Sequence, residues 1–250
     1  MAILEKTDRY KTAIDKVRPF EEPVLKQLRD YYRIGLTWSS NALEGNTLTE
    51  IETKVVLEDG LTIGGKPLRE IYEAVGHGKA YDYIFSIFKS GAITVENIKT
   101  VHELFFKAID EKNSGVWRGE NIIVSGTDYV FPAPEQLDNL MNELITWINA
   151  NRASLHPVRF AALLHLKFVT IHPFIDGNGR VARLLMNLAL IQDGYTLAII
   201  PPILRQDYLS AIQAYQRRGV DNIFCEFIAE RVYECQKEIA RLLHIPNPCA

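Results

Sequence analysis

Cysteine is scarce in this 250-residue chain: Cys225, Cys235 and Cys249 are all there is, odd in number and widely spaced. They form no Cys-x-x-Cys pair and no metal-ligand spacing with histidine, which argues against a disulfide framework or a zinc site. Cys225 and Cys235 fall on an amphipathic C-terminal stretch and read as small core or surface residues. Long apolar runs are missing as well; nothing approaches the roughly 18 uncharged residues of a membrane span. Met1 to Tyr10 is polar and charged, without the apolar centre of a leader, so the expectation is a soluble, cytoplasmic protein. Basic excess is absent: 28 Lys and Arg stand against 31 Asp and Glu, a net charge of −3, so no broad field favours nucleic acid. His102-Glu103 begins a metalloprotease pattern but lacks its second histidine. There is no internal repeat and no low-complexity linker.

What is present is an ordinary globular balance, 47% apolar and 24% charged, and helical periodicity nearly throughout. Leu137, Leu140, Met141, Leu144, Ile145 and Ile148 draw one stripe over 135–149. Val95, Ile98, Val101, Leu104 and Phe105 draw another after Thr94, a plausible N-cap. Val158 to Thr170 is apolar almost all round and belongs in the middle of a core. Tyr31 to Leu43 reads as a helix ending at Gly45. The next, capped by Thr47 with Glu50 or Thr49 with Glu52, runs to about Asp59. Further helices are expected from about Leu68 to Phe88, and twice between Asp207 and Leu243 with a break at 218–221. Strands are expected only at 121–124 and 129–131, a hairpin around Ser125-Gly126-Thr127-Asp128. The best boundary lies near 60–67 or 90–91, which gives an N-terminal helical region over 1–90 and a core over 91–250 whose helices pack together.

The chemistry is concentrated in His172-Pro173-Phe174-Ile175-Asp176-Gly177-Asn178-Gly179-Arg180-Val181-Ala182-Arg183. His-Pro ends the buried helix, and the Asp-Gly-Asn-Gly loop opens a new one. Backbone N–H groups of such a loop converge with the positive end of the new helix to make an anion cradle. Arg180 and Arg183 share a face of the first turn, where the helix dipole disfavours cations unless a polyanion lies between them. Asp176 can hold a hard divalent cation, and His172 can accept a proton near neutral pH. Together they describe phosphoryl or nucleotidyl transfer.

The run resembles the signature of the Fic family, His-x-Phe-x-(Asp/Glu)-Gly-Asn-Gly-Arg-x-x-Arg, with every fixed position filled. His156-Pro157 and the helix through His165 look like the family's lead-in, and Gly115-Val116-Trp117-Arg118 with the 121–131 hairpin like its target-binding flap. About 91–240 is covered. The resemblance implies an all-α fold, a helical bundle around a central motif helix with one small β-hairpin flap, and a protein adenylyltransferase moving AMP from ATP to a Ser, Thr or Tyr hydroxyl. It makes His172 the general base and Phe174 an inward anchor. Asp176 becomes the Mg²⁺ ligand. Gly177, Asn178, Gly179, Arg180 and Arg183 become the phosphate holders. Ile122, Ile123, Val124, Tyr129 and Val130 would pair with the target protein. Asn187, Tyr208 and Tyr215 are the adenine-pocket candidates.

Upstream, Ser40-Asn41-Ala42-Leu43-Glu44-Gly45 resembles the family's inhibitory motif, (Ser/Thr)-x-x-x-Glu-(Gly/Asn), within a helix at about 31–45. Ser40 and Glu44 lie one turn apart, and by resemblance Glu44 pairs with Arg183 and keeps it from the γ-phosphate. That is the class whose inhibitory helix precedes the core. Relatives with the same loop transfer UMP or other phosphate-containing groups, or remove AMP, and a catalytically silent nucleotide-binding module is the rival of another class. The partners expected are ATP and a protein, with a homodimer open and neither nucleic acid nor membrane.

Overall fold

The computed structural model describes residues 2–249. Helices α1 (Ile3–Asp15), α2 (Glu22–Ala42), α3 (Glu50–Lys54), α4 (Leu68–Ile87) and α5 (Val95–Phe106) precede the signature. Helices α6 (Leu137–Asn151), α7 (Pro157–Ile171), α8 (Asn178–Gln192), α9 (Arg205–Arg218) and α10 (Asn222–Leu242) complete the chain.

Local chemistry explains the starts. Thr94 and Asn97 close a reciprocal capping box at α5, and Thr49 with Glu52 does the same at α3. Thr49 with Glu52 is therefore the pair used, and Thr47 turns instead to Glu70. Pro157 begins α7, where a missing N–H costs nothing, and the His156 imidazole accepts from Val158 N–H.

α7 and α8 pack together at the centre, and every residue of α8 from Val181 to Leu190 is buried. This is what an all-round apolar pattern requires. The main buried cluster also takes Tyr32 and Leu36 from α2, Tyr81 and Ile84 from α4, Phe105 from α5 and Ile228 from α10.

Three expectations change. α2 begins at Glu22 rather than Tyr31: Pro23 sits in its first turn, and Val24, Leu28 and Tyr32 carry the helical apolar spacing back to it, with Val24 and Leu28 half-buried. α1 is an unexpected helix whose buried Thr7, Tyr10 and Ile14 dock on α10, with Gln236 donating to the Thr7 carbonyl at 2.9 Å. The expected hairpin is not a pair of strands. Among the described residues no strand occurs, and 121–131 is an open loop turning at Ser125-Gly126. Two short segments without a neighbouring sheet lack a partner for their outer edges. The loop is held instead by side chains: Gln213 donates to the Gly126 carbonyl at 2.8 Å, and Arg217 pairs with Asp128 at 2.7 Å. No helix among the described residues is long and apolar enough to cross a membrane.

Candidate active site

The site is built where α7 stops and α8 starts. His172 ends α7 with φ 53, a left-handed conformation that is unusual without glycine, and Pro173 prevents continuation. Its Nδ1 lies 3.2 Å from the Val169 carbonyl. A carbonyl only accepts, so Nδ1 carries the hydrogen and Nε2 keeps its lone pair. Burial pushes the imidazole down to about 4, with the Arg118 cation acting in the same direction. At neutral pH His172 is therefore an unprotonated acceptor.

The Phe174 ring anchors the loop that follows. It is fully buried and stacks flat on His102 at 3.7 Å between centroids. Asn178 closes the loop from both ends of its amide: Oδ1 accepts from Phe174 N–H at 2.9 Å and Nδ2 donates to the Phe174 carbonyl at 2.8 Å. Its side chain is thus a latch, and anything Asn178 offers a phosphate comes from its backbone. Gly177 has φ 78, and a Cβ there would press into the Phe105 ring. No side chain caps α8, whose first N–H groups are left free to meet an anion.

His102 supports the loop from below. Gly115 N–H donates to its Nδ1 at 2.9 Å, which fixes the hydrogen on Nε2, 3.1 Å from the Asp176 carbonyl. Burial lowers its pKa to about 4, so this tautomer is neutral.

The charged side chains form two groups. Arg183 is buried, 2% exposed, with every nitrogen engaged. Nε donates to Ser40 Oγ at 2.9 Å, Nη1 to the Tyr208 hydroxyl at 3.0 Å, and Nη2 to the Ser40 carbonyl and to Glu44 Oε1, both at 2.8 Å. Burial alone would raise the Glu44 pKa; the Arg183 and Arg180 cations reverse this and hold it below the usual carboxylate range. The Glu44 carboxylate lies directly over Gly179, so close that a Cβ on that residue would collide with it. Gly45 makes the turn behind it, with N–H bound to the Ala42 carbonyl.

The second group is a ring of four alternating charges. Arg180 reaches Glu73 at 3.1 Å and Asp176 at 3.3 Å; Arg69 reaches Glu73 at 3.3 Å and Asp176 at 2.7 Å. Arg180 also lies on the Phe105 ring at 4.3 Å. Arg69 and Glu73 were missed in the sequence. They sit one turn apart on α4, about a hundred residues from the signature, and look like any solvated helical pair. Among the described residues no three His, Cys, Asp or Glu side chains converge. A divalent cation here would take Asp176 from the protein, and phosphates and water for the rest, a common way of holding Mg²⁺. Asp176, with its side chain 42% exposed, fits that.

His172, Gly179 and Glu44 line one cavity of about 420 Å³, closed by Leu209, Ile212 and Gln213 of α9 and by Val124 and Phe131 of the loop. Of the adenine candidates only Tyr208 borders it, and its hydroxyl is already engaged by Arg183 and His165. Asn187 is buried elsewhere, its Oδ1 accepting from Ala198 N–H at 2.7 Å. Tyr215 is not in the cavity wall. The wall on α9 could not be read because the residues that face the cavity depend on how α9 crosses α8. In the loop, Ile122, Val124 and Tyr129 are half-buried, while Ile123 and Val130 are 99% and 87% exposed. Exposure thus alternates along 122–124 and 129–130 although no strands form.

Residues 92–190 match the Fic/DOC family. The chain is 36% identical over 230 residues to a protein adenylyltransferase Fic of Nematostella vectensis, covering 91% of the chain and 53% of that protein. A protein of the same description from Aedes aegypti is 34% identical, with 90% of the chain and 45% of the relative covered. The chain thus spans about half the length of these relatives. Among solved structures, a Fic domain containing signaling protein from Bacteroides thetaiotaomicron superposes with a TM-score of 0.83 at 26% identity, covering 93% of this chain and 95% of that one. A Fic-1 fragment from C. elegans gives 0.86 at 24% identity over 97% and 72%, a likeness of fold. Residues 92–190 of this chain are thus a Fic/DOC-family domain.

Proposed function

We propose that the chain is a protein adenylyltransferase restrained by its own second helix, moving AMP from ATP to a Ser, Thr or Tyr hydroxyl of a protein. The observation that carries this is that a neutral imidazole, an uncapped helix N-terminus and an intruding carboxylate line one cavity. The relatives described as protein adenylyltransferases support the same reading.

In this reading ATP lies along the α8 N-terminus, its phosphates on the N–H groups of 178–180 and between Arg180 and Arg183. The base occupies the space beside α9. The target hydroxyl gives its proton to His172 Nε2 while its oxygen attacks the α-phosphorus, and the bond to the β-phosphate oxygen breaks. AMP stays on the target and diphosphate leaves. General-base help is worth about 10²–10⁴ in rate. Asp176 would hold Mg²⁺ against the phosphates, and the ion would neutralise charge there. The target's backbone runs along 121–131, whose unpaired main-chain groups and outward Ile123 and Val130 suit an added strand.

Glu44 is the brake in this scheme. While it holds Arg183, that cation is unavailable to the γ-phosphate, and its carboxylate repels phosphate from Gly179.

The reading is tested with Mg²⁺ and ATP labelled at the α or the γ position. Label on protein from the α position alone, stronger in Glu44→Gly and absent in Glu44→Gly/His172→Ala, is expected. Label from the γ position would mean a kinase-like orientation and overturn it.

A further inference from the structure

Arg118 is a buried guanidinium, 4% exposed, whose three nitrogens all donate to main-chain carbonyls. Nε binds the carbonyl of His172 at 2.9 Å, Nη1 that of Glu120 at 2.8 Å, and Nη2 that of Pro132 at 2.5 Å. Its own backbone N–H binds the carbonyl of Pro173 at 2.9 Å. One residue thereby touches the end of α7, the start of the 121–131 loop and its finish.

We propose that Arg118 is the positioning residue that sets the register between the His172 imidazole and the target-docking loop. The proposal rests on the adenylyl-transfer reading. The carbonyl it grips belongs to the left-handed residue, so Arg118 helps hold the turn that aims the imidazole. The other two carbonyls flank the loop, which has no strand pairing of its own to fix its ends. Phe131, one residue inside the far end, lies with its ring 4.6 Å from that of His172. A target chain laid on the loop would therefore be placed relative to the base by this side chain, which serves the three carbonyls from three separate nitrogens of one rigid plane. Lysine would have to serve all three from a single atom on a flexible stem.

The same geometry predicts what Arg118 does not do. The phosphate-facing residues lie on α8 and the cavity's far wall on α9, and Arg118 contacts neither. Its loss should separate nucleotide binding from transfer.

The experiment compares Glu44→Gly with Glu44→Gly/Arg118→Lys. It reads ATP affinity by calorimetry, the rate of protein labelling at saturating α-labelled ATP, and backbone hydrogen exchange by mass spectrometry. With Arg118→Lys, ATP affinity is expected to stay within twofold and exchange in α10 to be unchanged. Labelling should fall at least thirtyfold, and exchange across 117–133 should speed at least tenfold. Labelling within threefold of the parent would overturn the proposal. So would a loss of ATP affinity and of α10 protection together, which would mean a merely structural role. If Glu44→Gly itself transfers nothing from α-labelled ATP, the activity reading fails separately. The exchange comparison still decides whether Arg118 ties the loop to the His172 turn: faster exchange at 117–133 alone keeps that coupling, and unchanged exchange removes it.

Discussion

The Glu44 carboxylate meets the Arg183 guanidinium at 2.8 Å across 139 residues of sequence. The contact joins the end of α2 to the second turn of α8. Ser40, one helical turn before Glu44, takes two more of Arg183's donors. Arg183 is therefore satisfied without any substrate. Removing Glu44 leaves Ser40 and Tyr208 as its partners, so the side chain stays ordered while one donor is released. Glu44→Gly is expected to raise AMP transfer at least tenfold, about 1.4 kcal/mol in barrier. Equal initial rates in the two proteins would remove the brake from the scheme.

Arg69 stands on the Asp176 oxygen that a divalent cation would take. Its side chain is more than half exposed, so the pair is weak, in the range of about 0–1 kcal/mol. Arg69→Ala should tighten binding of Mn²⁺, in the presence of a non-hydrolysable ATP analogue, by two- to fivefold. Electron paramagnetic resonance titration reads this directly, and weaker Mn²⁺ binding in the variant would contradict it.

Burial lowers His77 to about 3 and His102 and His172 to about 4, and holds His165 well below its ordinary value. In the unfolded chain these groups take protons at about 6.5. Between the two ranges the unfolded state binds more protons, so stability rises with pH there. The contribution is fully present above pH 6.5 and is lost as pH falls toward 4 and 3. Melting temperature should therefore drop steadily from pH 6.5 downward, before most carboxylates protonate. A flat profile between pH 6.5 and 4.5 would show that these imidazoles are not held neutral.

Gly177→Ala should lower stability by about 2–4 kcal/mol, combining left-handed backbone strain with overpacking against Phe105. For a chain of this size that is roughly 5–15 °C in melting temperature. A loss under 2 °C would mean that the loop has room to shift.

Ile123 is almost wholly exposed, so Ile123→Asp should leave the folding stability within about 0.5 kcal/mol of the parent. If the loop docks the target, the apparent KM for the protein acceptor should rise several-fold with ATP affinity unchanged. An unaltered KM would place docking elsewhere.

Much of this arrangement was legible in the residues. α4 to α7, α9 and α10 were legible because each buries a stripe or, in α7, nearly a whole surface, and α8, buried almost all round, was announced by the loop that opens it. Periodicity missed α1, whose short inward stripe of Ile3, Leu4, Thr7, Tyr10 and Ile14 is interrupted by a polar residue and set among charged neighbours. The signature named the loop because its chemistry is local: His, Asp, two glycines and two arginines act within twelve consecutive positions. The inhibitory segment was legible by resemblance alone.

The sequence by itself determined which groups could do chemistry, since a proton acceptor, an anion cradle and paired cations are properties of residue types and short spacings. Tertiary structure alone decided who neutralises whom. Glu73 and Arg69 join Arg180 and Asp176 only because α4 packs beside α8. Arg118 grips His172 only because the 121–131 loop folds back on α7. It also decided that the loop would not pair into strands, because strand pairing depends on neighbours that lie far away in sequence, and none is present beside this one.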